Sequence, residues 1–90
     1  MNICFDIDGC LVSDGKPIKA NVALAKVLSK SHKVYLWSGN GWGYAYIWSQ
    51  KLDIKIYGVL EKYNTFKPDI AFDDKEIDLG RLNICLSNKK

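Results

Sequence analysis

Asp6 and Asp8 stand two residues apart at the end of the apolar run Ile3-Cys4-Phe5, and Gly9 follows at once. Residues i and i+2 of a strand share a face, so both carboxylates project on one side and Ile7 on the other. Gly9 has no Cβ, which lets the chain turn away without obstructing a ligand or a metal. Two carboxylates this close repel each other unless a cation or a shared proton relieves them. The pair asks for a metal, and a metal beside an aspartate points to phosphate chemistry. Two further apolar runs end in polar groups: KVYLWS stops on the hydroxyl of Ser38, and DIAFD stops on Asp73 with Asp74 behind it. Taken singly, each acid pair has an ordinary reading, Asp-x-Asp-Gly as a turn and Asp73-Asp74 as a helix cap before Glu76.

The elements that must position these groups follow from periodicity and breakers. Residues 2–7 read as a buried strand. The polar stretch Asp8–Lys19, with Gly9, Gly15 and Pro17, reads as a loop with room for a small hairpin. Good helix formers around Val22, Ala25 and Leu28 predict a helix over about residues 20–30. Lys33–Ser38 is a second strand, Gly39-Asn40-Gly41 breaks it, and a helix is expected over Trp42–Leu52. Ile54–Leu60, Asp69–Asp73 and Leu82–Leu86 complete five strands. Strands alternating with helices imply a mainly parallel sheet with right-handed crossovers. Its chemistry gathers beyond the carboxyl ends of the strands, near the switch in strand order. On that rim Asp6, Asp8, Ser38, Asp73 and Asp74 would meet, and solvation does not explain so convergent a set.

In this order, FDIDGCLV, VYLWSGNG and DIAFDDKE resemble the first, second and fourth motifs of the haloacid dehalogenase superfamily of phosphohydrolases. The resemblance runs over nearly the whole chain, with Cys10 where the family commonly has Thr or Val. It implies an α/β, three-layer Rossmann-like fold with a five-stranded sheet, in one domain over residues 1–90. It implies Asp6 as the nucleophile that becomes an aspartyl-phosphate, and Asp8 as the acid and then base of the two displacements. Mg2+ would be held by Asp6, the backbone carbonyl of Asp8 and Asp73, with Asp74 ordering metal-bound water or holding the lysine. Ser38 and the amides of Gly39, Asn40 and Gly41 would bind phosphate oxygens, helped by the start of the next helix. For the third motif, a lysine, Lys62 and Lys67 compete. Lys67 lies at the entry of the fourth strand, roughly 13–20 Å from its acids, whereas Lys62 follows the third strand on the same rim as Ser38, so Lys62 is expected.

A cap domain has no room after the first or the third strand, so the expected site is open. The resemblance implies that water exclusion would then fall to a large substrate or a neighbouring subunit, and that the substrate would be a phosphorylated small molecule or a macromolecular end. Trp37, Trp48 and one tyrosine are expected in the core; Trp42, just after the phosphate turn, would stack on a base or sugar or pack against another subunit. Val12–Ile18 is placed to act as a small flap. His32 and Asp53 read as loop and turn residues, and Arg81 reaches substrate only if its loop reaches the rim.

A net charge of +3 is too mild to indicate nucleic acid. At 90 residues the buried fraction is modest, which suits a homo-oligomer. Cys4, Cys10 and Cys85 are odd in number and lack metal-ligand spacing, as expected of reduced thiols in a cytoplasmic protein. No signal peptide is visible and nothing nears the ~20 apolar residues of a membrane span. The expected function is a magnesium-dependent phosphohydrolase acting on a phosphomonoester. Its rivals are a polynucleotide-end or nucleotide phosphatase, suggested by FKPDIAFDDK, a silent phosphate-binding or regulatory module, and a phosphotransferase or phosphomutase.

Overall fold

The N-terminal apolar run forms β1 (Asn2–Asp6), buried from Ile3 onwards as a strand with neighbours on both edges and cover on both faces must be. The computed structural model describes residues 1–62 and 66–86. After β1 come a short antiparallel hairpin, β2 (Val12–Ser13) and β3 (Lys16–Pro17), and then α1 (Lys19–Leu28). The hairpin turns at Asp14-Gly15, both at positive φ (52° and 72°), as a tight two-residue connection requires. The remaining elements are β4 (Lys33–Ser38), α2 (Trp42–Leu52), β5 (Gly58–Glu61), β6 (Ile70–Asp73) and β7 (Leu82–Cys85).

Five strands make one sheet in the order β5-β4-β1-β6-β7, and every pair in it is parallel. The chain therefore winds outward from β1 in one direction through β4 and β5, then returns to the other side of β1 for β6 and β7. The reversal lies between β1 and β6, the place where open parallel sheets leave a crevice beyond their strand ends. The register sets Asp6 opposite Trp37, Phe5 opposite Phe72, and Ser38 opposite Glu61.

Among the described residues, both helices cover the same face. Ile3, Phe5, Val34 and Leu36 are buried there with Val22 and Ala25 of α1 and Ala45 and Leu52 of α2, and the Phe5 and Phe72 rings stack at 4.5 Å. On the opposite face Cys4, Trp37 and Ala71 are buried under Leu60, Phe66, Ile77 and Leu79. Among the described residues no helix lies on that side, so the expected third layer is irregular chain. The stretches 66–69 and 74–81 are short, and Pro68 and Gly80 disfavour a helix within them. Asn83 holds the second connection: its Oδ1 accepts from the N–H groups of Leu79 (3.0 Å) and Gly80 (2.9 Å), and its Nδ2 donates to the Gly80 carbonyl (2.9 Å). Gly80 rests so close to β6 that a Cβ there would come within 2.9 Å of the Ala71 nitrogen.

The third main strand is shorter than the expected 54–60. Asp53 closes α2 in the left-handed conformation (φ 54°, ψ 45°), and Ile54 is then drawn into the core beneath the helix. Pairing begins only at Gly58, opposite Tyr35. Among the described residues no helix is long and apolar enough to cross a membrane.

Candidate active site

Three adjacent strands deliver polar groups to one rim because their apolar runs end in step. Asp6 closes β1, Ser38 closes β4 and Asp73 closes β6; all three are buried, Asp73 at 1% exposure. With Asp8, Gly39, Asn40, Lys62, Asp74 and Lys75 they line a cavity of about 200 Å³. The pairing of Ser38 with Glu61 places Lys62 immediately beyond β5 on this rim. Its Nζ donates to Asp6 Oδ1 at 3.1 Å and lies 2.7 Å from Asp73 Oδ2. That Asp73 oxygen has the ionic contact but no directed hydrogen bond. Its other oxygen accepts from the Lys75 backbone N–H (3.2 Å). Asp74 lies over Gly9, which has φ +82° and no space for a Cβ.

Asp6, Asp73 and Asp74 each offer an oxygen within 4.8 Å of the others. Burial pushes the Asp6 carboxyl up to about 6, and the Asp73 charge adds to this against the pull of Lys62. Asp74 is raised by burial and then by its hydrogen bond with Asp73. Burial would raise Asp73 too, but Lys62 and the bond from Asp74 outweigh it and hold that carboxyl below its ordinary range. Lys62 loses to burial and regains more from the two carboxylates, so it stays protonated. Three carboxylates with an oxygen each inside 4.8 Å form an oxygen-only donor set, which fits a hard divalent cation.

Asp8 behaves differently. It is exposed, and its carboxylate accepts from the Tyr44 hydroxyl at Oδ1 (2.7 Å) and from Asn40 Nδ2 at Oδ2 (3.1 Å). Its side chain is therefore outside the three-acid cluster, and only its backbone carbonyl is left for the metal role expected of it. The turn also differs from expectation. The Asn40 N–H is bound by Ser38 Oγ (3.0 Å) and the Gly41 N–H by the Ser38 carbonyl (3.1 Å), so these two amides serve the turn and not a ligand. The Ser38 hydroxyl proton remains, as do the first N–H groups of α2, which Gly41 leaves without a side-chain cap.

Lys67 is exposed ahead of β6, at the opposite end of the sheet, and Arg81 precedes β7 at that same end. His32 is there too, its Nδ1 3.3 Å from the N-terminal amine. A wider hollow of about 510 Å³ opens beside it, but its acid, Asp69, is already engaged by the Asn2 N–H (2.7 Å). Val12–Ile18 supplies no wall to the rim cavity, because Val12 and Ile18 are buried in the core and the hairpin is tethered by them. Trp37 is fully buried and Trp48 packs against the core, while Trp42 is 59% exposed. Tyr44 and Lys75 escaped the sequence reading. Lys75 was legible only as the residue after two acids, and Tyr44 only as one aromatic in GWGYAYIW.

Family models, curated proteins and solved structures contain no match to this chain. The case for an activity rests on the residues themselves.

Proposed function

We propose that this protein is a phosphohydrolase of the haloacid dehalogenase type, acting on a phosphomonoester through an aspartyl-phosphate on Asp6. The observation that carries the reading is the Lys62 ammonium held between Asp6 and Asp73 at the sheet's switch point, with Ser38 on the same rim. The fold is then a reduced Rossmann-like core of that superfamily, one helical layer having given way to irregular chain. The connections 7–18 and 62–69 are too short for a cap domain.

Asp6, Asp73 and Asp74, with the Asp8 carbonyl, would hold Mg2+. When bound, it would screen the charge between an anionic nucleophile and an anionic phosphate. A carboxylate oxygen of Asp6 attacks phosphorus while the ester P–O bond breaks, and Asp8 gives its proton to the departing oxygen. Asp8, now a carboxylate, takes a proton from water as the water oxygen attacks phosphorus. The bond to Asp6 breaks, and inorganic phosphate leaves with Asp6 restored. Lys62 offsets negative charge on the transferring group, and Ser38 donates to one of its oxygens.

Magnesium-dependent phosphate release from phosphorylated metabolites, nucleotides and oligonucleotide ends, run beside Asp6→Asn, tests the reading. Turnover in the wild type and a loss of at least ~10³-fold in the variant is expected, since the nucleophile is gone. Equal turnover in both proteins, or none in a folded, magnesium-loaded wild type, would sink it. A nucleotide or polynucleotide end is the second reading within this class. It is favoured by Trp42, whose exposed ring stands at the start of α2, four residues after Ser38.

A further inference from the structure

Both oxygens of the exposed Asp8 carboxylate accept hydrogen bonds from side chains of the protein itself. Tyr44 is the third residue of α2, and its ring packs against the core, so its hydroxyl approaches Asp8 from an anchored base. It donates to Oδ1 at 2.7 Å. Asn40, in the turn that leads into α2, gives its side-chain amide to Oδ2 at 3.1 Å. An unrestrained surface aspartate samples several rotamers, and two bonds from separate donors select one.

We propose that Tyr44 is a positioning residue, clamping Asp8 in the orientation from which it exchanges protons with the leaving oxygen and with water. The clamp has a second effect: it keeps the Asp8 carboxylate from swinging inward to join Asp6, Asp73 and Asp74. This role rests on the phosphohydrolase reading. Tyr44 itself neither gains nor loses a proton over the cycle. Its hydroxyl fixes direction, while the proton that leaves with the alcohol comes from Asp8 and is replaced from water.

The clamp should matter according to the leaving group. An alkyl phosphate expels an alkoxide that needs a proton in the transition state, so a misdirected Asp8 is costly. p-Nitrophenyl phosphate expels a stabilised phenolate that needs little help. Tyr44→Phe removes the hydroxyl and keeps the ring in place. In magnesium, its kcat/KM on glycerol phosphate, which reports only the steps up to formation of the aspartyl-phosphate, should fall about tenfold, a part of the full general-acid contribution. On p-nitrophenyl phosphate the change should stay under about twofold. Equal losses on both esters, or no loss on either, overturn the clamp while leaving the phosphohydrolase intact. No wild-type turnover on either ester, nor on the phosphorylated metabolites, nucleotides and oligonucleotide ends, overturns the phosphohydrolase reading and with it the catalytic purpose of the clamp. A measurement independent of turnover accompanies these. Side-chain scalar couplings of Asp8 should report a single χ1 in the wild type and averaging in Tyr44→Phe, and averaging in the wild type overturns the proposal outright.

Discussion

Lys62 and Lys67 are five residues apart and chemically identical, and the sheet separates their fates. Lys62 follows β5 and reaches Asp6 and Asp73, whereas Lys67 precedes β6 and faces solvent at the far end. Lys62→Ala should lower turnover by about 10²-fold or more, the scale on which a pre-placed charge at a reacting group acts. Lys67→Ala should stay within about twofold, as a surface change away from the reacting groups. Steady-state kinetics on one substrate compares them, and the reverse ranking would break the assignment of the rim. This distinction was legible in the sequence because strand direction alone decides it. The partner of Asp8 was not, since the phase of α2 and its position beside β1 must both be known before Tyr44 can be seen to reach it.

Elements explain which boundaries the sequence disclosed. β1, β4 and β6 are apolar runs ending in acids or a hydroxyl, and their ends are where the pattern changes. Ile54-Lys55-Ile56 alternates like a strand, but the burial of Ile54 serves α2 and the sheet pairs later. The cover on the second face was illegible for a related reason. Phe66, Ile77 and Leu79 are isolated apolar residues with no period, made into a layer only by the chain path. That layer depends on Asn83, which makes three hydrogen bonds to the backbone of Leu79 and Gly80. Asn83→Ala should cost about 1–3 kcal/mol of folding stability, because it strands partly buried backbone groups. Urea unfolding checks it, and a midpoint unchanged from wild type would mean the connection holds itself.

At the scale of the whole molecule the acid cluster burdens the metal-free fold. The Asp6 carboxyl titrates near 6 in the folded state against 3.8 ordinarily, and Asp74 is shifted the same way. Between those values the folded chain keeps a proton that the unfolded chain has released. Stability of the metal-free protein should therefore fall as pH rises through about 4 to 6, by at most about 3 kcal/mol for Asp6, and then level off. Asp73, held low, acts in the opposite sense only below the ordinary carboxylate range. Denaturant unfolding at about pH 4 and about pH 7 with a chelator present measures the difference, and higher stability at the upper pH would contradict it. The strand order also has a consequence for assembly. Residues 1–52 contain β1, α1, β4 and α2 and can assemble through nearby contacts, whereas β6 reaches β1 across a separation like the 67 residues between Asn2 and Asp69. Closing that span costs more chain entropy than the nearer pairings, and the same pairing brings Asp73 against Asp6. The candidate rim thus depends on the longest-range pairing of the described sheet, so a divalent cation bound between Asp6 and Asp73 would stabilise that pairing.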